Sequence, residues 1–234
     1  MRNIFILLFT LCFVMCAPRQ SDNTISVDLD HPEKASLFDY FSSIEIIPLE
    51  TSSDALVQAL TKVVEHEDKY YALDKPQCLI FVFDKAGKFL YKIGTKGQGA
   101  GEYAFISDFN INPFSGNLEI LEPYGRIHVY SLLGDFIETK RISYPEFKVA
   151  HSLAALDNDI YVSHSLFEPK KIAYFDLNKQ ELLHEEFEED MAIGSYSQIP
   201  YQYKDEWFFY RPFHPIVYKI GKKQLEASFK FDFG

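Results

Sequence analysis

A carboxylate beside an imidazole can pass a proton or hold a divalent ion, and this chain offers such side chains at recurring distances. Asp108 and His151 are the first pair; Asp159 and His164 are a second, weaker one, because His151 and His164 flank a turn that contains Asp157 and Asp159. If equivalent strands of a repeated architecture stand side by side, Asp108 and His151 meet near its axis, and a metal or acid/base centre becomes conceivable there. The ordinary alternative for each is a hydrogen-bonded structural residue. The seven histidines, at positions 31, 66, 128, 151, 164, 184 and 214, form no helical metal pair. Ligand-binding candidates are Arg126, which follows Pro123-Tyr124-Gly125 and could reach an anion, and His164. Tyr201 and Arg211 join them, from a stretch crowded with Tyr196, Tyr203, Trp207, Phe208, Phe209, Tyr210 and Phe213. Most of those rings belong in a core, but some could stack on sugars or peptides.

Other segments imitate known chemistry and fail on context. Gly94 to Gly101 lacks the dinucleotide fingerprint. No Gly-Lys-Ser/Thr step follows, and the next element reads as a strand, with no helix dipole to hold a phosphate. Asp232-Phe233-Gly234 has no lysine strand or catalytic loop to make it a kinase motif. The run Glu185-Glu186-Phe187-Glu188-Glu189-Asp190 lacks the turn glycine of a calcium loop and reads as a solvated connection. Cys78, at a strand entry, reads as a small half-buried hydrophobe. No metal-ligand spacing and no cofactor fingerprint is visible, so neither a metal nor a cofactor is expected.

The elements that must position these residues are strands. A hairpin unit recurs four times, marked by the aromatic residues Phe83, Tyr130, Phe175 and Tyr218 at steps of 47, 45 and 43 residues. An all-strand period of roughly 40–50 residues is the signature of a β-propeller blade. The expected strands of blade one are 60–64, 69–73, 79–84 and 89–93, and of blade two 108–111, 117–121, 126–130 and 136–141. Blade three takes 150–156, 159–164, 171–176 and 181–187; blade four takes 201–204, 207–210, 216–220 and 225–233. Ala86-Gly87, Ser115-Gly116-Asn117, Leu133-Gly134-Asp135 and Asp157-Asn158-Asp159 supply turn chemistry between them. Residues 36–41 read as a short turn. Residues 44–49 read as an edge strand, with Pro48 marking the edge, placed near the open end of the ring.

Composition fits an all-β chain: 15 Tyr and 22 Phe bring aromatics to 16%, and flat rings pack well on a pleated surface. A net charge of −11 argues against affinity for nucleic-acid phosphates. Residues 1–16 read as a signal peptide. Arg2 precedes an apolar run of about 12 residues, too short to span a bilayer. The run ends at Cys16, as in a bacterial lipobox, although Met15 stands where a small residue is usual. Lipidation of Cys16 is expected, with a secreted or periplasmic product as the alternative. Residues 17–40 read as a flexible tether and 41–234 as the propeller. With Cys12 and Cys16 assigned to the leader, only Cys78 remains and no internal disulfide is available.

Phe81-Val82-Phe83-Asp84-Lys85-Ala86-Gly87-Lys88-Phe89, followed by Ile93-Gly94-Thr95-Lys96-Gly97-Gln98-Gly99-Ala100-Gly101-Glu102-Tyr103, resembles an NHL-type repeat, of the kind grouped with TolB-like propellers. More closely, the chain is similar to a family of six-bladed β-propeller lipoproteins of Gram-negative bacteria. The likeness rests on Ile46-Ile47-Pro48-Leu49-Glu50-Thr51, on the Gly-rich segment, and on Phe231-Asp232-Phe233-Gly234. It implies an envelope-anchored propeller, on the outer membrane or the periplasmic face, in which these four blades are part of a six-bladed ring. The expected function is a non-enzymatic binding or scaffolding module for an envelope protein, a peptide or a glycan. The alternative is a hydrolase or lyase working near the axis.

Overall fold

The computed structural model describes residues 23–142, 149–166, 170–188, 200–204, 206–211 and 214–234. They form four antiparallel four-stranded blades set about a common axis, a four-bladed β-propeller. Blade one comprises β2 (Leu60–His66), β3 (Lys69–Asp74), β4 (Leu79–Asp84) and β5 (Phe89–Ile93). Blade two comprises β6 (Asp108–Ile111), β7 (Leu118–Leu121), β8 (Arg126–Tyr130) and β9 (Phe136–Arg141). Blade three comprises β10 (Ser152–Ala155), β11 (Ile160–His164), β12 (Lys170–Asp176) and β13 (Glu181–Glu188). Blade four comprises β14 (Tyr201–Tyr203), β15 (Glu206–Phe209), β16 (Ile216–Ile220) and β17 (Leu225–Asp232). In each blade the first strand is innermost and the fourth outermost.

The aromatic marker that reveals the repeat has a structural job. The ladder between third and fourth strands shifts register at Val82/Phe83, Val129/Tyr130, Tyr174/Phe175 and Val217/Tyr218. A bulge adds local twist, so the same bend recurs in every blade at the residue that recurs in the sequence. The hairpin from β2 to β3 turns on Glu67 and Asp68, both at positive φ, which matches the right-handed twist of its strands.

Apolar cores fill the spaces between successive blades. Tyr71, Ile80 and Val82 of blade one meet Phe109, Leu118 and Ile120 of blade two. Leu121 and Ile127 meet Leu153 and Tyr161, and Val162 and Tyr174 meet Trp207 and Phe209. A polar network sits within the second of these junctions. Tyr161 donates to Glu119 at 2.7 Å, and Asn112 donates to both at 3.1 and 3.0 Å. The other face of blade one, with Ala72, Phe81 and Phe83, packs under Leu49, Ala55 and Val57 of the preceding segment.

Three expectations change. Residues 44–49 are not a strand. They lie over the β4–β5 turn, where Glu50 donates its N–H to the Gly87 carbonyl at 2.8 Å. Pro48 has no N–H to give a ladder, and the backbone here serves as a latch. The strand that joins the outer edge of blade four comes instead from the expected tether. β1 (Thr24–Ser26) runs parallel to β17, pairing Thr24 with Lys230 and Ser26 with Asp232. A polar composition did not prevent this, because β17 offers a free edge of backbone donors and acceptors. The acidic run is not wholly a connection either: Glu185 to Glu188 belong to β13, and Glu186 accepts the Leu225 N–H at 2.5 Å. The expected turn at 36–41 is present as a 3-10 turn over Leu37–Asp39, capped by Ser36. Cys16 and residues 1–22 lie outside the described residues.

Candidate functional site

One end of the propeller gathers ionisable groups from all four blades. This end carries the turns between second and third strands and the beginnings of the innermost strands. Asp108 opens β6 and is nearly buried. Lys62 of β2 donates to its Oδ1 at 2.8 Å, to the Phe109 carbonyl at 2.7 Å and to Asn110 Oδ1 at 2.8 Å. The Leu153 N–H of β10 donates to Asp108 Oδ2 at 3.3 Å. Both carboxylate oxygens are thus engaged, and Asp108 ties the innermost strands of blades one, two and three together.

His151 lies immediately before β10. Its N–H donates to the His164 carbonyl at 2.9 Å, and its Nδ1 accepts the Leu166 N–H at 3.1 Å. An accepting Nδ1 leaves the proton of the neutral ring on Nε2. Burial lowers the His151 pKa, and the charges of Lys75 and Lys171 lower it further. His164, the last residue of β11, is fully enclosed. Burial pushes its pKa down to about 3, helped by His151, Arg211 and Lys171. Lys171 is also buried and donates to the Leu166 carbonyl at 3.0 Å. Arg211, just after β15, is buried as well, and burial lowers its pKa. Lys75 sits in the β3–β4 turn and reaches solvent. The protein packed around it lowers its pKa; Asp108 opposes that shift and Lys62 adds to it. Hydrogen bonds set His151 beside His164 and, through Leu166, beside Lys171, and the cations Lys75, Lys171 and Arg211 help keep the two rings neutral.

The sequence candidates divide accordingly. Asp108, His151, His164 and Arg211 come to this end. Asp108 and His151 share this end without a hydrogen bond between them: Asp108 is engaged by Lys62 and the Leu153 N–H, and His151 Nδ1 by the Leu166 N–H. Asp159 does not join His164. It is exposed in the β10–β11 turn at the opposite end of the hairpin, where Asp157 pairs with Lys222 at 2.6 Å. Residues that flank a turn in sequence are a strand's length away from it when they close the far end of the ladder, as Ser152 and His164 do. Arg126 is at the same end but on the flank of blade two, ion-paired with the buried Glu122. Tyr201 stacks on Phe208 at 5.5 Å and meets Tyr210 edge-on at 5.6 Å. It also lines an axial cavity of about 280 Å³ together with Lys62, Asn110 and Trp207.

Lys75 and Lys171 escaped the sequence reading. Among the described residues no three His, Cys, Asp or Glu side chains gather to hold a metal. In the Gly-rich segment, Glu102 Oε2 accepts the N–H groups of Gln98 and Gly99 at 2.9 and 2.8 Å. The loop's amides already hold an internal carboxylate where a phosphate would need them. Cys78 is buried, as a small hydrophobe.

Among solved structures, the chain is similar to a protein of Bacteroides fragilis inferred to be exported. The identity is 19%, the TM-score 0.72, and the match covers 90% of this chain and 60% of that one. It is also similar to a member of the DUF4221 family from Bacteroides vulgatus, at 15% identity and a TM-score of 0.53, over 80% of this chain and 61% of that one. The chain thus spans about 60% of the length of these two proteins. At these identities both are likenesses of fold alone. No curated protein matches the chain. Residues 22–234 match the pattern of a domain of unknown function, DUF4934, and the chain belongs to that family.

Proposed function

We propose that this protein is an exported, non-enzymatic binding module of the cell envelope, held to the membrane by lipid on Cys16. Its partner, an envelope protein, a peptide or a glycan, docks at the propeller end where exposed Lys75 and half-buried His151 stand in front of the buried His164, Lys171 and Arg211. The observation that carries this reading is the convergence of those groups from blades one, three and four on one end of the axis. Rigid strands that present side chains from several blades to one mouth make a pre-organised recognition surface. Export is supported by the Arg2–apolar–Cys16 order and by the description of the Bacteroides fragilis neighbour.

Two measurements test it. Immobilised protein is exposed to separated envelope proteins, peptides and glycans, alongside an Arg211→Gln variant and a Lys75→Gln variant. Retention of a defined ligand by wild type, weakened in either variant, is expected; equal retention by all three removes the site. Labelling with a fatty-acid analogue in cells is expected to mark wild type and not Cys16→Ser. Equal labelling removes the anchor.

A further inference from the structure

The end of the axis opposite the histidines holds a larger cavity, of about 460 Å³. It lies between the β6–β7 turn, the end of β10, the β14–β15 hairpin and the β16–β17 turn. The ladder of blade four fixes its wall. Gln202 and Trp207 are paired directly across β14 and β15, so their side chains stand together on one face of the sheet. Trp207 packs with Leu156 and Ile220 in the core between blades three and four, and all three line the cavity. At 7% exposure the indole is held firmly and offers only an edge. The open ring is that of Phe114, in the β6–β7 turn and 46% exposed.

The polar groups here fall into two sets. The charges are already matched: Lys222 pairs with Asp157 at 2.6 Å, and Lys219 with Glu206. A charged ligand would have to displace one of these partners. The neutral groups are not matched. Among the described residues, neither the indole N–H of Trp207 nor the side-chain amide of Gln202 has a hydrogen-bond partner. Gln202 is exposed and the indole N–H is not sealed off, so a ligand can reach both.

We propose that this cavity binds a neutral sugar unit, its hydroxyls bonded to Gln202 and the Trp207 N–H and its C–H face set against Phe114. The site is separate from the mouth at the other end and does not depend on it. An indole N–H only donates, whereas a side-chain amide both donates and accepts; adjacent hydroxyls, each donor and acceptor, satisfy the two together. The C–H face of a sugar ring suits the apolar surface of Phe114. A purely apolar ligand would strip water from the amide and the indole N–H and leave both unpaired. A cavity of about 460 Å³ suits a ligand of sugar size and is too small for a folded partner.

Trp207 is the only tryptophan of the chain, so its fluorescence reports on this cavity. The full-length protein is titrated with four probes: the neutral disaccharides cellobiose and N,N′-diacetylchitobiose, the acidic sugar glucuronate, and cyclohexanol as an apolar probe. A saturable change in emission is expected with a neutral disaccharide, and its affinity should not respond to added salt. Glucuronate and cyclohexanol are expected to bind about tenfold or more weakly. Phe114→Ala and Gln202→Ala, both at exposed positions, are expected to keep the thermal midpoint and to weaken the sugar about tenfold or more.

No saturable change with either disaccharide, preference for glucuronate or cyclohexanol, or unchanged affinity in Phe114→Ala or Gln202→Ala overturns the inference. Affinity lost in Lys75→Gln but kept in Phe114→Ala would move the sugar to the other end, which overturns this site and leaves the binding-module reading standing.

Discussion

Blades one and four flank the same axial cavity, yet their outward faces are finished differently. Blade one buries Phe81 and Phe83 completely beneath a segment of its own chain. That segment is held at two points. Asp74 accepts N–H groups from Gln58, Ala59 and Gln77 and the Gln77 amide, and Glu50 bonds to Gly87. Blade four gains β1 along its edge but little over its face, where Tyr203, Tyr210, Phe229 and Phe233 remain 41–61% exposed. Among the described residues no apolar core joins blade four to blade one, whereas each other neighbouring pair shares one. A strand can satisfy an edge with three residues of backbone; covering a face takes side chains. The repeat supplies side chains on both faces of every blade, so whatever lies against a blade decides whether its aromatics stabilise it.

The sharpest test sets equivalent truncations against each other. Phe81→Ala is expected to cost about 3–5 kcal/mol, the range for emptying a filled core site. Phe229→Ala, on the exposed face of blade four, is expected to cost under about 1 kcal/mol. Urea denaturation measures both, and equal losses would erase the distinction. Next in size is the latch. Asp74→Ala leaves several buried N–H groups unpaired and is expected to cost about 2–4 kcal/mol. Hydrogen exchange should then speed up over residues 55–59 before it does so in blades two and three.

Acid should separate the two sides. His164, at the junction of blades three and four, has a folded pKa of about 3 against an ordinary 6.5. The unfolded chain therefore takes up the proton first, and stability falls as pH drops below about 6.5. The loss from this residue is about 2 kcal/mol by about pH 5. Asp74 behaves otherwise. Burial would raise its pKa, but its hydrogen bonds hold it below the ordinary 3.8. Its contribution persists above that value and goes only as pH falls through the lower, folded one. Unfolding followed between pH 7 and pH 4 should show a slope that His164→Asn flattens and Asp74→Asn does not. A further effect is expected at the turn beneath the latch. Gly87 has φ +79°, and a Cβ there would lie 2.1 Å from the Pro48 carbonyl oxygen. Gly87→Ala is expected to cost about 1–2 kcal/mol; a neutral result would mean that residues 44–49 contribute nothing to blade one.

The strands were legible in the sequence because the repeat repeats a physical event. The aromatic at each step marks a bulge, so its spacing follows the blade. Inner-strand neighbours were legible too: Asp108 does face β10 across a blade boundary. The histidine hairpin misled, because closeness to a turn in sequence says nothing about which end of a ladder a residue closes. Residues 44–49 misled for another reason. Their alternation is that of a strand, but alternation records burial on one side, and a latch over Gly87 produces the same pattern without a ladder. Lys75 gave no signal of its own. A lysine in a turn is ordinary, and only the neighbouring blade makes its surroundings unusual.

The parallel pairing of β1 with β17 also bears on how the molecule is made. Asn23 hydrogen-bonds to a carbonyl 205 residues away in the chain. Contacts at such separation form late, after the intervening loop has lost its freedom. Blades that assemble in order of synthesis can bury their shared cores one after another, but β1 must wait, extended and unpaired, until the last strand of blade four exists. Among the described residues the first strand of the chain thus pairs with the last, and its place on the edge is complete only once blade four is made.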